Sequence, residues 1–305
     1  LVSILPGMAQ TEKLTDYVNP FVGTDGYGNV YPGAQIPFGG IQMSPDTDSR
    51  FYDAASGYKY NHLTLMGFSL THLSGTGIPD LGDFLFIPGT GEMKLEPGTH
   101  EDPDKGYRSR YSHDKEWASP NYYAVELADY GVKAEMTSGV RSGMFRFTYP
   151  ESDSAFIMID MNHTLWQSCE WSNLRMINDS TITGYKLVKG WGPERHVYLT
   201  ATFSKKLTGL RFMQDKKPVI YNTSRFRSSY EAWGKNLMAC ISFDTKAGEE
   251  VIVKTAISSV STNGAKNNMA ELAGLAFDDL KAKGEALWEK ELGKYTLTAD
   301  RKTKR

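Results

Sequence analysis

The residues best suited to chemistry lie close together in one short segment, THLSGTGIPDLGDF, at positions 71–84. It follows the apolar run LMGFSL and contains one histidine, three hydroxyl side chains, three glycines and two aspartates. This composition is compatible with a phosphate-binding loop, a metal site, an acid–base centre or an irregular turn. The rest of the sequence has to distinguish these four interpretations.

Neither a nucleotide loop nor a metal site is predicted in this segment. No lysine follows SGTG at 74–77, so the phosphate-loop pattern fails, and the spacing of the glycines does not fit a dinucleotide-binding turn. His62 and His72 are ten residues apart, and the sequence has no H-E-x-x-H or C-x-x-C motif. Asp80 and Asp83 lack the regular acidic spacing of a calcium loop, which favours a role in stabilising the turn.

The overall composition restricts the function classes. Lys and Arg number 34 against 36 Asp and Glu, a net charge of −2, so neither nucleic acid nor an anionic membrane is predicted as a partner. With 305 residues, 40% of them hydrophobic, the chain is a soluble globular protein with a sizeable core. Among 36 acidic residues the sequence cannot select a catalytic pair, and no G-x-S-x-G nucleophile motif is present.

The first residues, LVSILPGMAQ, resemble the end of a secretory signal peptide, with cleavage after Ala9. The apolar run is too short to span a bilayer, so no membrane span is predicted. We therefore expect residues 1–13 to be a leader outside the fold, and the protein to be exported to the periplasm, the outer membrane or the medium. Cys169 and Cys240 have no metal-type spacing and are expected to be buried free thiols rather than a disulfide.

The elements that would position these residues are mainly β-strands. In 121–149, Tyr123, Val125 and Leu127 alternate with other residues, a turn follows, and a second alternating run begins at Val132. This pattern predicts antiparallel strands with one buried face. Similar runs continue to about residue 257, so we expect a large antiparallel β-sandwich over residues 14–262.

Two other regions interrupt the strand pattern. Residues 22–40 contain six glycines and two prolines and are expected to form a long ordered loop, where function is often located. Residues 263–305 are predicted to be a helical linker with two helices, the second beginning near Asp278 and Asp279 and weakened in its middle by Gly284.

Three long motifs connect this sequence with a known family. They are YVNPFVGTDGYGNVYPGAQIPFGGIQMSPDT at 17–47, GFSLTHLSGTGIPDLGDF at 67–84 and ISSVSTNGAKNNMAEL at 257–272. Together with SPNYYAVEL, KAEMTSGVRSGMFRFTYP, KGWGPERHVYL and LWEKEL, they resemble the N-terminal domain of glycoside hydrolase family 92 over residues 16–297.

The resemblance implies an exo-acting, inverting α-mannosidase that requires calcium and removes terminal mannose from N-glycans or mannans. It implies a mutarotase-like β-supersandwich, two linker helices and a C-terminal (α/α)6 barrel, with the active site between sandwich and barrel. In that family the barrel provides the general acid, the general base and the calcium ligands. None of these can be assigned to a residue of this chain, so we expect no catalytic or metal residue here and no activity from this portion alone.

The same resemblance predicts that loops of the sandwich form one side of the sugar pocket. The residues expected to contact a mannose-containing glycan lie in the two glycine-rich loops, together with one tryptophan whose ring could stack on a sugar or instead lie in the core: Thr24, Asp25, Gly26, His72, Ser74, Gly75, Thr76, Gly77 and Trp191. Trp166, Tyr58 and Tyr60 are weaker candidates. The alternative is an autonomous carbohydrate-binding sandwich without a catalytic partner.

Overall fold

The chain folds into two large antiparallel sheets in the computed structural model, which describes residues 12–50, 54–220 and 230–298. The predicted leader, apart from residues 12 and 13, and the charged tail from residue 299 lie outside these ranges. Residues 22–40 are almost entirely loop, as predicted, with a single bridge between Ala34 and Met43.

The strands and helices have the following bounds. The seven-stranded sheet contains, in spatial order, β1 (Ser44–Asp46), β3 (Gly67–Ser69), β4 (Leu85–Thr90), β10 (Ser152–Asp160), β17 (Leu237–Thr245), β14 (Gly209–Gln214) and β15 (Lys217–Pro218). The nine-stranded sheet contains β16 (Glu231–Gly234), β11 (Ser168–Asn178), β12 (Thr181–Lys189), β13 (Arg195–Phe203), β18 (Glu249–Ser258), β9 (Ser142–Tyr149), β8 (Val132–Ser138), β7 (Tyr122–Leu127) and β6 (Glu116–Ser119). A small sheet pairs β2 (Thr64–Leu65) with β5 (Ser109–Arg110), and the α-helices are α1 (Thr262–Asn268) and α2 (Phe277–Leu292). Short 3-10 helices occupy Leu14–Tyr17, Pro103–Lys105, His113–Lys115 and Met269–Leu272.

The prediction of a large antiparallel sandwich is confirmed. Strands β7, β8 and β9 form a meander in which Tyr123 pairs with Met136 and Met136 pairs with Phe145. All three side chains are buried between the two sheets, because alternate residues of each strand point to the same face.

Aromatic rings fill the space between the sheets. Phe86 of the seven-stranded sheet packs against Phe145 of the nine-stranded sheet with ring centroids 5.0 Å apart, and Phe68 lies 6.4 Å from the same ring. Burying one such ring contributes about 1.5–3 kcal/mol, so these contacts provide much of the driving force that holds the two sheets together.

The outer face of the nine-stranded sheet is partly covered by the two helices. Glu135 of β8 points to this face, yet it is buried, and Arg146 and Tyr122 bind its carboxylate at 2.6–2.9 Å. Arg146 also reaches Asp278 at the start of α2. The alternation in the sequence predicted that each strand buries one face. The two helices bury part of the other face of the nine-stranded sheet.

Gly284 is where α2 comes closest to the sheet. A Cβ atom at this position would lie 1.7 Å from Nδ2 of Asn121. Asn121 is itself buried and bonded to Thr137 and Ser138. The glycine that weakens the helix by propensity therefore permits its close packing.

The two cysteines are free and buried, as predicted. Cys169 lies on β11 and Cys240 on β17, which belong to different sheets. In the part of the chain that the structure describes, no helix is long and apolar enough to cross a membrane.

Candidate functional site

The two glycine-rich segments lie side by side. We call residues 22–30 the first glycine loop and residues 71–84 the second glycine loop. The backbone N–H of Gly75 donates a hydrogen bond to the carbonyl of Asn29 at 2.7 Å, which joins the loops directly. At Gly26, Gly75 and Gly77 an added Cβ would meet no atom within 4 Å, so the backbone faces open space there.

The first glycine loop exposes Asp25 but uses Thr24 internally. The Asp25 carboxylate accepts a hydrogen bond from the backbone of Gly26 at 2.7 Å and its side chain is exposed. Thr24 is buried, its hydroxyl donates to the carbonyl of Phe21 at 2.8 Å, and its own carbonyl accepts from Tyr60. Asp25 and Gly26 are therefore accessible to a ligand, and Thr24 holds the loop in place.

The second glycine loop also has an exposed tip and a buried base. Ser74, Gly75 and Gly77 are exposed, and the Thr76 hydroxyl donates to the carbonyl of Ile78 at 2.9 Å. His72, in contrast, is only 2% exposed. Its position at the base of the loop differs from the surface position that direct sugar contact would require.

His72 is held by a buried carboxylate. Its Nδ1 lies 2.7 Å from the carbonyl of Gln42, which can only accept, so Nδ1 carries a proton. Its Nε2 lies 2.8 Å from Oδ1 of Asp46, whose other oxygen lies 2.8 Å from Nε2 of His163. Burial alone would raise the pKa of Asp46, but the two imidazoles outweigh it and hold that pKa well below its usual range.

A second buried ion cluster fixes the other end of the loop. Asp83 is fully buried, and its carboxylate meets Arg195 at 2.5 Å, Lys186 at 3.3 Å and the hydroxyl of Thr71 at 2.7 Å. Burial favours a raised pKa for Asp83, yet these two cations and the hydrogen bonds from Arg195 and Thr71 lower it to about 2. Asp83 therefore connects the second glycine loop with strands β12 and β13.

The turn between β12 and β13 carries Trp191, whose side chain is 74% exposed. The neighbouring Gly190 packs so closely on Gln167 that an added Cβ would lie 2.1 Å from its Cγ. Gln167 in turn donates to the carbonyl of Pro79 at 2.6 Å, within the second glycine loop. Trp166, next to Gln167, is 54% exposed.

The structure thus brings the exposed loop tips, the Trp191 turn and the Trp166 segment into one connected set of segments. Tyr58 and Tyr60 lie at its edge: Tyr58 is buried against Glu116, and Tyr60 stacks on His113 with ring centroids 3.9 Å apart. This arrangement offers backbone amides, hydroxyls, one carboxylate and two indole rings. Such groups can bind the hydroxyls and the apolar faces of a sugar.

The sequence matches the pattern of a known protein family. The pattern of the glycosyl hydrolase family 92 N-terminal domain matches residues 17–258. The chain belongs to this family. The resemblance seen in the sequence motifs is therefore confirmed.

Known relatives of this family 92 domain are much longer proteins. The chain is 95% identical to the family 92 α-mannosidase BT3965 of Bacteroides thetaiotaomicron, solved with mannoimidazole, with a TM-score of 0.94 over 96% of this chain and 39% of that one. It is 26% identical to the family 92 glycosyl hydrolase ccman5, with a TM-score of 0.80 over 94% of this chain and 38% of that one. An uncharacterized secreted glycosidase of the fungus Arthroderma benhamiae is 29% identical over 140 residues, 45% of this chain and 18% of that one. The chain thus spans about two fifths of its solved relatives.

The family 92 domain also has an open cleft of about 750 Å³, which the sequence did not predict. It lies over the outer face of the seven-stranded sheet, and its lining includes Glu96, Tyr107, Asp160, Asn162, Trp166 and Gln167. Residues 95–97 and 107 form part of its wall, and residues 162–164 and 166–169 form another part. Trp166 is thus shared between the cleft and the loop set.

Next to this cleft, three potential metal ligands meet: Asp48, His62 and His100. One ligand atom from each lies within 4.8 Å of the others. Burial and the neighbouring His100 lower the pKa of His62 to about 4, so its imidazole is neutral at physiological pH. The sequence alone does not group these three residues, because they are 14 and 38 residues apart and match no local ligand motif.

Proposed function

We propose that this chain is the N-terminal sandwich domain of an exported, inverting exo-α-mannosidase, and that its two glycine loops and the Trp191 turn form one side of the sugar pocket. The observation that carries the proposal is the 95% identity to an α-mannosidase solved with mannoimidazole, over nearly the whole of this chain. The exposed loop tips support it, since they present hydrogen-bonding groups on open backbone.

Within this side of the pocket, we assign direct sugar contact to the accessible groups. Asp25 and Ser74 offer polar side chains, Gly26, Gly75 and Gly77 allow close approach of a ligand to the backbone, and Trp191 offers a flat apolar face. Thr76 lies at the same tip, and its hydroxyl donates a hydrogen bond to the carbonyl of Ile78.

His72 and Thr24 take a positioning role in this proposal. Direct contact would require each side chain to leave buried hydrogen bonds, at a cost of about 1–3 kcal/mol for each group left unsatisfied. We therefore expect both to act on the sugar through the backbone of the loops they hold.

The chemistry of inversion needs a general acid, and a general base that activates water, with their carboxyl groups roughly 6.5–9.5 Å apart. We assign these groups to the C-terminal (α/α)6 barrel of the same polypeptide. The contribution of this domain is to hold and orient the terminal mannose, which lowers the barrier by fixing the reacting geometry.

Calcium is part of the proposal, but the ligand set found here does not suit it. Calcium takes six to eight oxygen ligands and, when bound, can coordinate neighbouring sugar hydroxyls. The cluster of Asp48, His62 and His100 offers two imidazole nitrogens instead. We therefore assign the calcium ligands to the barrel.

Export is supported by the relative named as a secreted glycosidase and by the leader-like residues 1–10. The N-terminus of the mature protein, determined by mass spectrometry, tests this part. We expect it to begin at Gln10.

The proposed activity is tested by comparing residues 12–298 with the intact protein on an aryl α-mannoside. We expect turnover only from the intact protein, loss of that turnover with a calcium chelator, and β-mannose as the first product by NMR. Turnover by residues 12–298 alone would overturn the proposal. A gene that stops after codon 305, with mannoside binding by the domain, would favour a binding module instead.

A further inference from the structure

The cluster beside the cleft has features of a built metal site. Nδ1 of His62 lies 3.0 Å from the hydroxyl of Thr47, and Nδ1 of His100 lies 2.9 Å from the hydroxyl of Thr64. Hydrogen bonds of this kind on one ring nitrogen orient metal-binding histidines and leave Nε2 for the metal.

The hydrogen bonds around Thr47 are compatible with the tautomer that a metal requires. Its hydroxyl oxygen accepts from the backbone N–H of Lys59 at 2.9 Å, and its own proton points to the carbonyl of Gly57 at 3.4 Å. With this proton on Gly57, the hydroxyl accepts from Nδ1–H of His62 at 3.0 Å, which is the tautomer that metal binding would select. Nε2 of His62 is then unprotonated and has its lone pair available.

His100 provides the second independent observation. Its Nε2 is buried and makes no hydrogen bond of good geometry with any of the described residues. It lies 3.3 Å from Oδ2 of Asp48. Two ligands of a tetrahedral zinc ion, each about 2.0–2.1 Å from the metal, are separated by roughly 3.3–3.4 Å, which matches this spacing.

Positive charge from Arg50 and from the buried Arg108, whose guanidinium lies 3.3 Å from the Thr64 hydroxyl, opposes cation binding near Asp48. The guanidinium of Arg50 contacts Oδ2 of Asp48 at 2.6 Å, but its side chain is 63% exposed, so it can turn into solvent. Oδ1 of Asp48 remains held by the backbone N–H groups of Ser49 and Arg50. The carboxylate thus stays in place when Oδ2 changes partner.

We propose that Asp48, His62 and His100 bind a divalent transition metal ion, with zinc as the best match to two imidazoles and one carboxylate. The site would join three separate segments: the chain after β1, the turn before β2, and the loop that carries residues 91–107. Since residues 95–97 of that loop form a wall of the 750 Å³ cleft, the metal would fix that wall. This site is separate from the proposed calcium site and does not depend on the mannosidase activity.

The test uses the intact protein, stripped with a chelator and then kept in excess calcium so that calcium sites stay filled. Titration calorimetry with zinc chloride should show one site per chain and a raised melting temperature. His100→Ala should abolish this binding, and His196→Ala, which removes an exposed histidine of β13, should leave it unchanged.

Two further variants keep the test informative if His100→Ala folds poorly. Thr64→Val removes the hydroxyl that contacts His100 and Arg108, keeps His100 itself, and should weaken zinc binding by about 10–100-fold. Arg50→Ala should strengthen zinc binding, because the competing guanidinium is gone.

Cobalt bound at the same site should give the visible absorption of a tetrahedral nitrogen and oxygen site. Wild-type protein that binds no more zinc than His100→Ala, or cobalt that gives an octahedral spectrum, would overturn the proposal.

Discussion

Oδ1 of Asp46 lies 2.8 Å from Nε2 of His72, in the protein interior at the base of the second glycine loop. The other oxygen of the same carboxylate binds His163, so one buried charge joins β1, the loop and the segment after β10. The exposed tip of the loop depends on this arrangement for its position.

Removing this carboxylate should destabilise the whole domain. We expect Asp46→Ala to lower the free energy of unfolding by about 3–5 kcal/mol, because two buried imidazoles lose their partner. Urea denaturation measures the loss. Asp153→Ala, at an exposed position of β10, is the control and should change stability by less than about 0.5 kcal/mol.

Gly57 should be intolerant of a side chain for a reason specific to the same pair. It has φ +86°, and an added Cβ would lie 2.1 Å from Oδ1 of Asp46. Gly57→Ala should therefore cost more than about 2 kcal/mol in unfolding free energy. In the Asp46→Ala background the clash is removed, so the added cost should be smaller. Strictly additive losses would contradict this explanation.

The Asp83 cluster should make stability depend on pH in the acid range. Its folded pKa of about 2 lies below the ordinary value of 3.8, so the unfolded chain binds protons first as the pH falls. The stabilisation, on the order of 2 kcal/mol, is present above pH 4 and is lost between about pH 4 and pH 2. Unfolding midpoints measured across this range should show the slope, and Asp83→Asn should flatten it while lowering stability at pH 7.

Gly284 should control how α2 packs on the sandwich. Gly284→Ala improves helix propensity by about 1 kcal/mol, yet the methyl group would collide with Asn121. We expect net destabilisation and faster hydrogen exchange in α2. Lys283→Ala, on the exposed side of the same helix, should leave both unchanged. A gain in stability from Gly284→Ala would show that the close approach is not required.

Trp191 tests the proposed side of the sugar pocket. In the intact enzyme, Trp191→Ala should reduce kcat/KM on an α-mannoside about 5–10-fold, a loss of roughly 1–1.4 kcal/mol of stacking. Stability should not change, since the ring is 74% exposed. Trp117→Ala, on the edge strand β6 of the nine-stranded sheet, is the matched control. Equal kinetic losses in both variants would argue against a sugar contact at Trp191.

The strands were predictable because alternation is a local property. Tyr123, Val125 and Leu127 reveal their buried face within six residues, and the helix near Asp278 shows its acidic first turn directly. Gly284 shows what local sequence patterns miss. Helix propensity predicts that this glycine destabilises α2, but it does not predict that the missing side chain makes room for Asn121.

The candidate site was only partly predictable, for a related reason. Residue type made both His72 and Asp25 candidates for sugar contact. The fold buries His72 against Asp46 and leaves Asp25 exposed. Asp48, His62 and His100 are distant in sequence and were not grouped at all.

The sequence by itself therefore determined the family, the antiparallel sandwich, the following helices and the two loops that carry polar groups. Tertiary structure alone decided which of those groups are accessible and which distant side chains meet. The physical reason is that periodicity and turn chemistry act over a few residues. Burial and ion pairing, such as that of Asp83 with Arg195, form between segments that only folding brings together.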